Sequence, residues 1–154
     1  MMMSILRNRI TCIVCSLAIV ALADSTNAYA DNALIVNANN SYNAPESEMR
    51  EVVKRLFLKK QSAWPNGLNA KCFDRAKASS EQNAFNSTIL NMESLAIARH
   101  WLGLKQATGE TPPRNVGSAN ILTKFVGKYD GGMGIVTESE LAGLPENVRV
   151  LFRF

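Results

Sequence analysis

MREVVKRLFLKKQSAWPNG, residues 49–67, carries two structural signals in succession. Met49, Val52, Val53, Leu56 and Phe57 recur at i, i+3, i+4, i+7 and i+8, the apolar stripe of an amphipathic helix that must dock on a larger body. Arg50, Glu51, Lys54 and Arg55 form the solvated face. Lys59-Lys60, with Lys54 and Arg55, form a basic cluster at the carboxyl end, where cations complement the helix dipole or offer a docking face to an acidic partner. Trp64-Pro65-Asn66-Gly67 then joins a helix-breaking proline to an Asn-Gly turn signal.

Upstream, Ala33-Leu34-Ile35-Val36 is a short continuous apolar run, the pattern of a strand buried on both faces. NANNSY, residues 37–42, is a polar loop. Its Asn39, Asn40 and Ser41 suit turn chemistry or hydrogen bonds to a ligand at the end of a strand. Asn43 with Glu46, around Pro45, predicts the start of the helix.

Downstream, residues 69–74 (NAKCFD) read as a second strand, with Ala70, Cys72 and Asp74 on one face. Ser79 or Ser80 caps a helix running to about Leu90, and Ser79 with Gln82 fits a capping box. Another helix is expected from Met92 to Leu102, with Asn91 as its N-cap and Gly103 as its left-handed C-cap. Residues 104–117 (LKQATGETPPRNVG) form the longest irregular stretch, of a length that usually serves function or crosses between lobes. Ser118 opens a helix with the stripe Ile121, Leu122, Phe125 and Val126, followed by a turn at residues 129–132. A strand at Met133–Val136, a helical turn near Glu138–Leu141 and a last strand at Val148–Phe152 complete the order. That order is α/β, with parallel pairing expected for strands joined by helices.

The first thirty residues follow a different logic. Arg7 and Arg9 precede an apolar run from Ile10 to about Ala23, and Ala28-Tyr29-Ala30 ends it. This is the pattern of a secretory signal peptide cleaved after Ala30. The apolar run is too short to span a membrane, which takes about 20 such residues. Residues 31–154 are then one exported domain without a transmembrane segment. Removing two of the 17 Lys and Arg and one of the 13 acidic residues leaves a net charge of +3. Export argues against a nucleic-acid partner, and a mild basic balance suits an anionic ligand or surface. Cys72 alone remains beyond the signal, which leaves it no intramolecular disulfide partner. One Cys and one His, His100, cannot build a closed metal site, no cofactor-binding motif is present, and no nucleophile motif marks an enzyme.

Three stretches together, FLKKQSAWPNG, TPPRNVGS and KFVGKYDGGMGIV, resemble the substrate-binding proteins of phosphate ABC transporters, especially short exported chains with one lobe of that fold. The resemblance covers nearly all of residues 33–152. It implies a type II periplasmic-binding-protein-like lobe: a small mixed sheet flanked by helices, located in the periplasm. In the full-length binders, an Arg, an acidic residue and a Ser-Gly-Thr at a helix start hold the anion. The matching segment here is Asp74-Arg75-Ala76-Lys77-Ala78-Ser79-Ser80, which makes Arg75, Ser79 and Ser80 candidate ligands. Arg114, on the stiff loop after Pro112-Pro113, is a further candidate for an anion or an acidic partner.

Each candidate has a structural alternative: helix capping for the serines, a solvated surface position for Arg75 and a carboxylate pairing for Arg114. Two functions are therefore expected. One is an exported solute-binding-like protein that takes phosphate or another small oxyanion for an ABC transporter. The alternative is a non-transport periplasmic accessory or sensor-partner module, which binds an envelope protein and has lost the phosphate site. The absence of the Ser-Gly-Thr favours the alternative.

Overall fold

A computed structural model describes residues 31–154. The predicted signal peptide and its cleavage point lie outside the described residues, except for Asp31. The elements are β1 (Asn32–Asn37), α1 (Glu46–Phe57), β2 (Lys71–Asp74), α2 (Ser80–Phe85), α3 (Ser94–Thr108), β3 (Arg114–Asn115), α4 (Ala119–Lys128), β4 (Gly132–Thr137) and β5 (Val148–Arg153). A π-helical turn, Asn86–Leu90, continues α2, and a 3₁₀ turn, Glu138–Gly143, follows β4.

The strands form one mixed sheet in the order β3-β2-β4-β1-β5. β2 is parallel to β3 and to β4, whereas β1 is antiparallel to both β4 and β5. Parallel pairing therefore holds for β2 and β3, which α2 and α3 connect. It fails for β1 and β2, which α1 connects, because β4 lies between them.

β1 organises the core. Side chains alternate across a strand, so Leu34 and Val36 enter one apolar layer while Ala33 and Ile35 enter the other, and all four are fully buried. The first layer holds the whole α1 stripe with Phe85, Ile89 and Leu90. Burying each such side chain stabilises by about 1.5–3 kcal/mol, so the stripe anchors α1 without help from propensity. The second layer is α4 on the sheet, where Leu122 and Val126 are buried beside Val136. Gly134 permits that approach, since a Cβ there would lie 2.8 Å from Leu122 Cδ1. Ile121, expected in this stripe, is 50% exposed.

The Trp64 turn joins two of the family-like stretches. Trp64 N–H donates to Leu68 O at 2.8 Å, and Gly67, at φ +88°, closes the turn onto Trp64 O at 2.9 Å. The indole Nε1–H donates to Gly131 O at 3.0 Å. Gly131 must itself be glycine, because a Cβ would collide with the Asn69 carbonyl.

Several expected boundaries shift, each for a local reason. Asn43 does not cap α1; Pro45 occupies the N-cap with no side-chain bond, and Arg50 pairs with Glu46 at 2.6 Å. Asn91, at φ +51°, closes the π turn, and Glu93 takes the N-cap of α3. Gly103 lies inside α3, which runs on through the helix-forming residues 104–107 to its left-handed C-cap at Gly109. A mid-helix glycine costs only about 1 kcal/mol relative to alanine, and five further helical residues outweigh it. Arg114 consequently starts a strand and does not sit in a free loop.

Candidate functional site

The carboxyl ends of β2 and β4 converge on Arg75. The chain turns there because Gln82, from α2, accepts the Arg75 backbone N–H through Oε1 at 2.7 Å. Gln82 N–H in turn donates to Ser79 Oγ at 3.3 Å, so Ser79 is the N-cap of α2. The expected capping box is half formed, since the Gln82 side chain serves Arg75 and not the Ser79 backbone. Ser80 Oγ–H donates to Glu81 Oε2 at 3.3 Å.

Arg75 itself is 5% exposed. Its Nε donates to Glu81 Oε1 at 2.9 Å and its Nη2 to Glu140 Oε1 at 3.0 Å. Nη1 is buried without a hydrogen-bond partner. Glu140 arrives from the 3₁₀ turn, where its other oxygen accepts Thr137 N–H at 2.9 Å and forms a capping box. Burial pushes the Glu81 carboxyl up, but its own backbone N–H, the Arg75 charge and hydrogen bonds from Ser79 and Arg75 prevail and hold it below the ordinary value. One buried cation thus faces two carboxylates.

The structure brings Arg75, Ser79 and Ser80 together and puts Arg114 elsewhere. Arg114 lines a cleft of about 410 Å³ on the other side of β2, with Lys59 and Lys71. Its guanidinium stacks 4.7 Å over Phe125, and the Lys71 ammonium stands 6.0 Å from the Tyr129 ring. Lys59 pairs with Glu110 at 3.6 Å. Among the described residues, neither Lys71 nor Arg114 has a carboxylate within ion-pair distance. The cleft therefore carries uncompensated positive charge over aromatic walls, a setting for carboxylate or phosphate oxygens.

Sequence reasoning missed Glu81, Glu140 and Lys71 as members of these sites, whereas Lys59 belongs to the basic cluster expected to offer a docking face. Glu81 was within reach, six positions after Arg75 in one segment. Thr137-x-x-Glu140 had capping-box spacing, which predicts the turn but not the contact with Arg75. Of the loop asparagines, Asn40 is fully buried, and its Oδ1 accepts from Tyr42 N–H and Asn66 Nδ2. Cys72 is a sheet thiol pushed up to about 12 by burial and by the Asp74 charge. His100 Nε2 bonds to Leu58 O at 2.8 Å, tying α3 to the end of α1. Among the described residues there is no cluster of three potential metal ligands.

No family model and no curated protein sequence matches the chain. Solved structures do. An ABC-type phosphate transport receptor from Vibrio cholerae superimposes with a TM-score of 0.56 at 14% identity, over 79% of this chain and 45% of its own. PstS from Borrelia burgdorferi gives a TM-score of 0.58 at 10% identity, over 79% of this chain and 46% of its own. The chain shares the fold of part of these receptors. It is periplasmic-binding-protein-like, as the three sequence stretches imply, and its aligned part spans less than half the length of either neighbour. Among the described residues, no helix of this phosphate-receptor fold is long and apolar enough to cross a membrane.

Proposed function

We propose that this chain is an exported, periplasmic accessory module built on a phosphate-receptor lobe, and that it recognises an acidic protein partner in the Lys59–Lys71–Arg114 cleft. The observation that carries this reading is the state of Arg75. The buried cation at the family's anion position is already matched by Glu81 and Glu140. A phosphate entering there would meet two carboxylates, and like charges at such distances repel strongly in a buried setting. The cleft offers the opposite balance, with Lys71 and Arg114 exposed to an incoming acidic group.

A second reading, a small oxyanion bound for an ABC transporter, draws on one feature. Arg75 Nη1 is an unused buried donor. Calorimetry separates the two readings. The accessory module gives no heat with phosphate or sulfate at about 10 mM. It captures an envelope protein that Lys71→Glu with Arg114→Glu releases. Micromolar phosphate binding that Arg75→Ala abolishes would overturn the proposal and establish the second reading.

A further inference from the structure

α3 is unusually detached for a helix of 15 residues, with Trp101 its only buried residue. Its inward side does not close on the sheet. A cavity of about 600 Å³ separates it from α2 and from the carboxyl ends of β2 and β3. That volume is within the range of small-molecule sites, roughly 300–1,000 Å³. The walls are apolar, chiefly Ile97, Trp101 and Pro113.

Three charges punctuate this apolar space. Asp74, the last residue of β2, lies at one side and accepts from Gln82 Nε2 at 3.3 Å through Oδ1. Lys77 and Lys105 lie on the lining contributed by the loop after β2 and by α3. Among the described residues, none of the three is in an ion pair. A plain oxyanion would satisfy the lysines but oppose Asp74. A plain cation would do the reverse, and a neutral apolar ligand would leave the half-buried Asp74 without a counter-charge and the exposed Lys77 and Lys105 to solvent. A compact zwitterion with an apolar body answers each of them.

We infer that this cavity is a binding site for a free α-amino acid with an apolar side chain. Its ammonium meets Asp74, its carboxylate meets Lys77 and Lys105, and its side chain packs on Ile97, Trp101 and Pro113. The site shares the Trp101 and Pro113 walls with the Lys71–Arg114 cleft but uses neither of its cations nor Arg75, so its charge-reversal and truncation tests are separate from those of the function proposed above.

Calorimetry of the protein with L-leucine tests it. Leucine saturates the site, while leucinamide, which lacks the carboxylate, and N-acetyl-leucine, which lacks the ammonium, bind about tenfold or more weakly. Asp74→Asn weakens leucine by a similar factor and leaves N-acetyl-leucine unchanged. Lys77→Ala with Lys105→Ala weakens leucine and leaves leucinamide unchanged. Unaltered far-UV circular dichroism confirms that each variant folds. Absence of leucine and phenylalanine binding at about 10 mM, or N-acetyl-leucine binding as tightly as leucine, overturns the assignment.

Discussion

Replacing Arg75 by methionine removes the one cation between Glu81 and Glu140 while keeping an apolar stem. The side chains of Arg75 and Glu81 are 6% and 9% exposed, so water cannot take over the lost contact at Glu81; Glu140, at 27%, is partly rescued by solvent. Breaking a buried pair by deleting one partner costs about 3–5 kcal/mol. For a domain of this size that is a fall of roughly 12–20 °C in thermal midpoint. The pH response adds an independent check. In the wild type the Glu81 carboxyl is held low, so its contribution is complete above the unfolded value, about 4.3, and fades as pH falls through the lower folded value. In Arg75→Met, burial remains and the cation is gone. The folded carboxyl then titrates higher than in the wild type, so the stability gap between the two proteins is widest at neutral pH and narrows as pH falls. Thermal melts of both proteins at pH 7.5 and pH 5 should show a wide gap that narrows. A loss below about 1 kcal/mol at pH 7.5, the scale of a surface pair, or a gap that stays constant, would refute the account of Arg75 as a buried, internally neutralised cation.

Burial raises the Asp74 carboxyl to about 7, against the opposing Gln82 hydrogen bond. A raised acid favours the folded state as pH falls through its folded pKa, so the wild-type midpoint should climb between pH 8 and pH 6, and Asp74→Asn should flatten that slope. With its thiol pushed up to about 12, Cys72, half-buried in the sheet, should react slowly with a disulfide-exchange reagent at pH 8 in the native protein and at once in denaturant; equal rates in both would contradict its raised thiol. Gly131→Ala should destabilise by about 1–3 kcal/mol or more, read by chemical denaturation, because the added methyl meets the rigid Asn69 carbonyl. A neutral outcome would mean that the Trp64 turn is free to move.

What could be read from the chain was whatever periodic burial dictates. The β1 run and the α1 stripe each have one consistent solution, and the Trp64 turn carries its own proline and glycine. The end of α3 was misread because Gly103 satisfies a stop rule locally, whereas the residues after it are strong helix formers that tolerate one glycine. β3 is two residues long and has no period to detect, so Arg114 looked like loop. The candidate site was half visible: Arg75, Ser79 and Ser80 stand in one segment, but the contact with Glu140 joins positions 65 apart. No local rule places a turn after β4 against the end of β2. The cleft of Lys59, Lys71 and Arg114 likewise exists only once three separate elements are packed.

The position of β1 also sets the order in which this protein can be completed during synthesis. Asn32–Asn37 is translated before the other elements described, yet its only neighbours in the sheet are β4 and β5, about a hundred residues later. Phe154 and Asn32 even exchange backbone hydrogen bonds at 2.9 and 3.2 Å. A chain emerging in order therefore holds the apolar Ala33–Val36 run unpaired until β4 and β5 follow, and such long-range pairing is slow to form. Loss of β5 alone would uncover one whole edge of β1, turning a local lesion into an aggregation-prone chain.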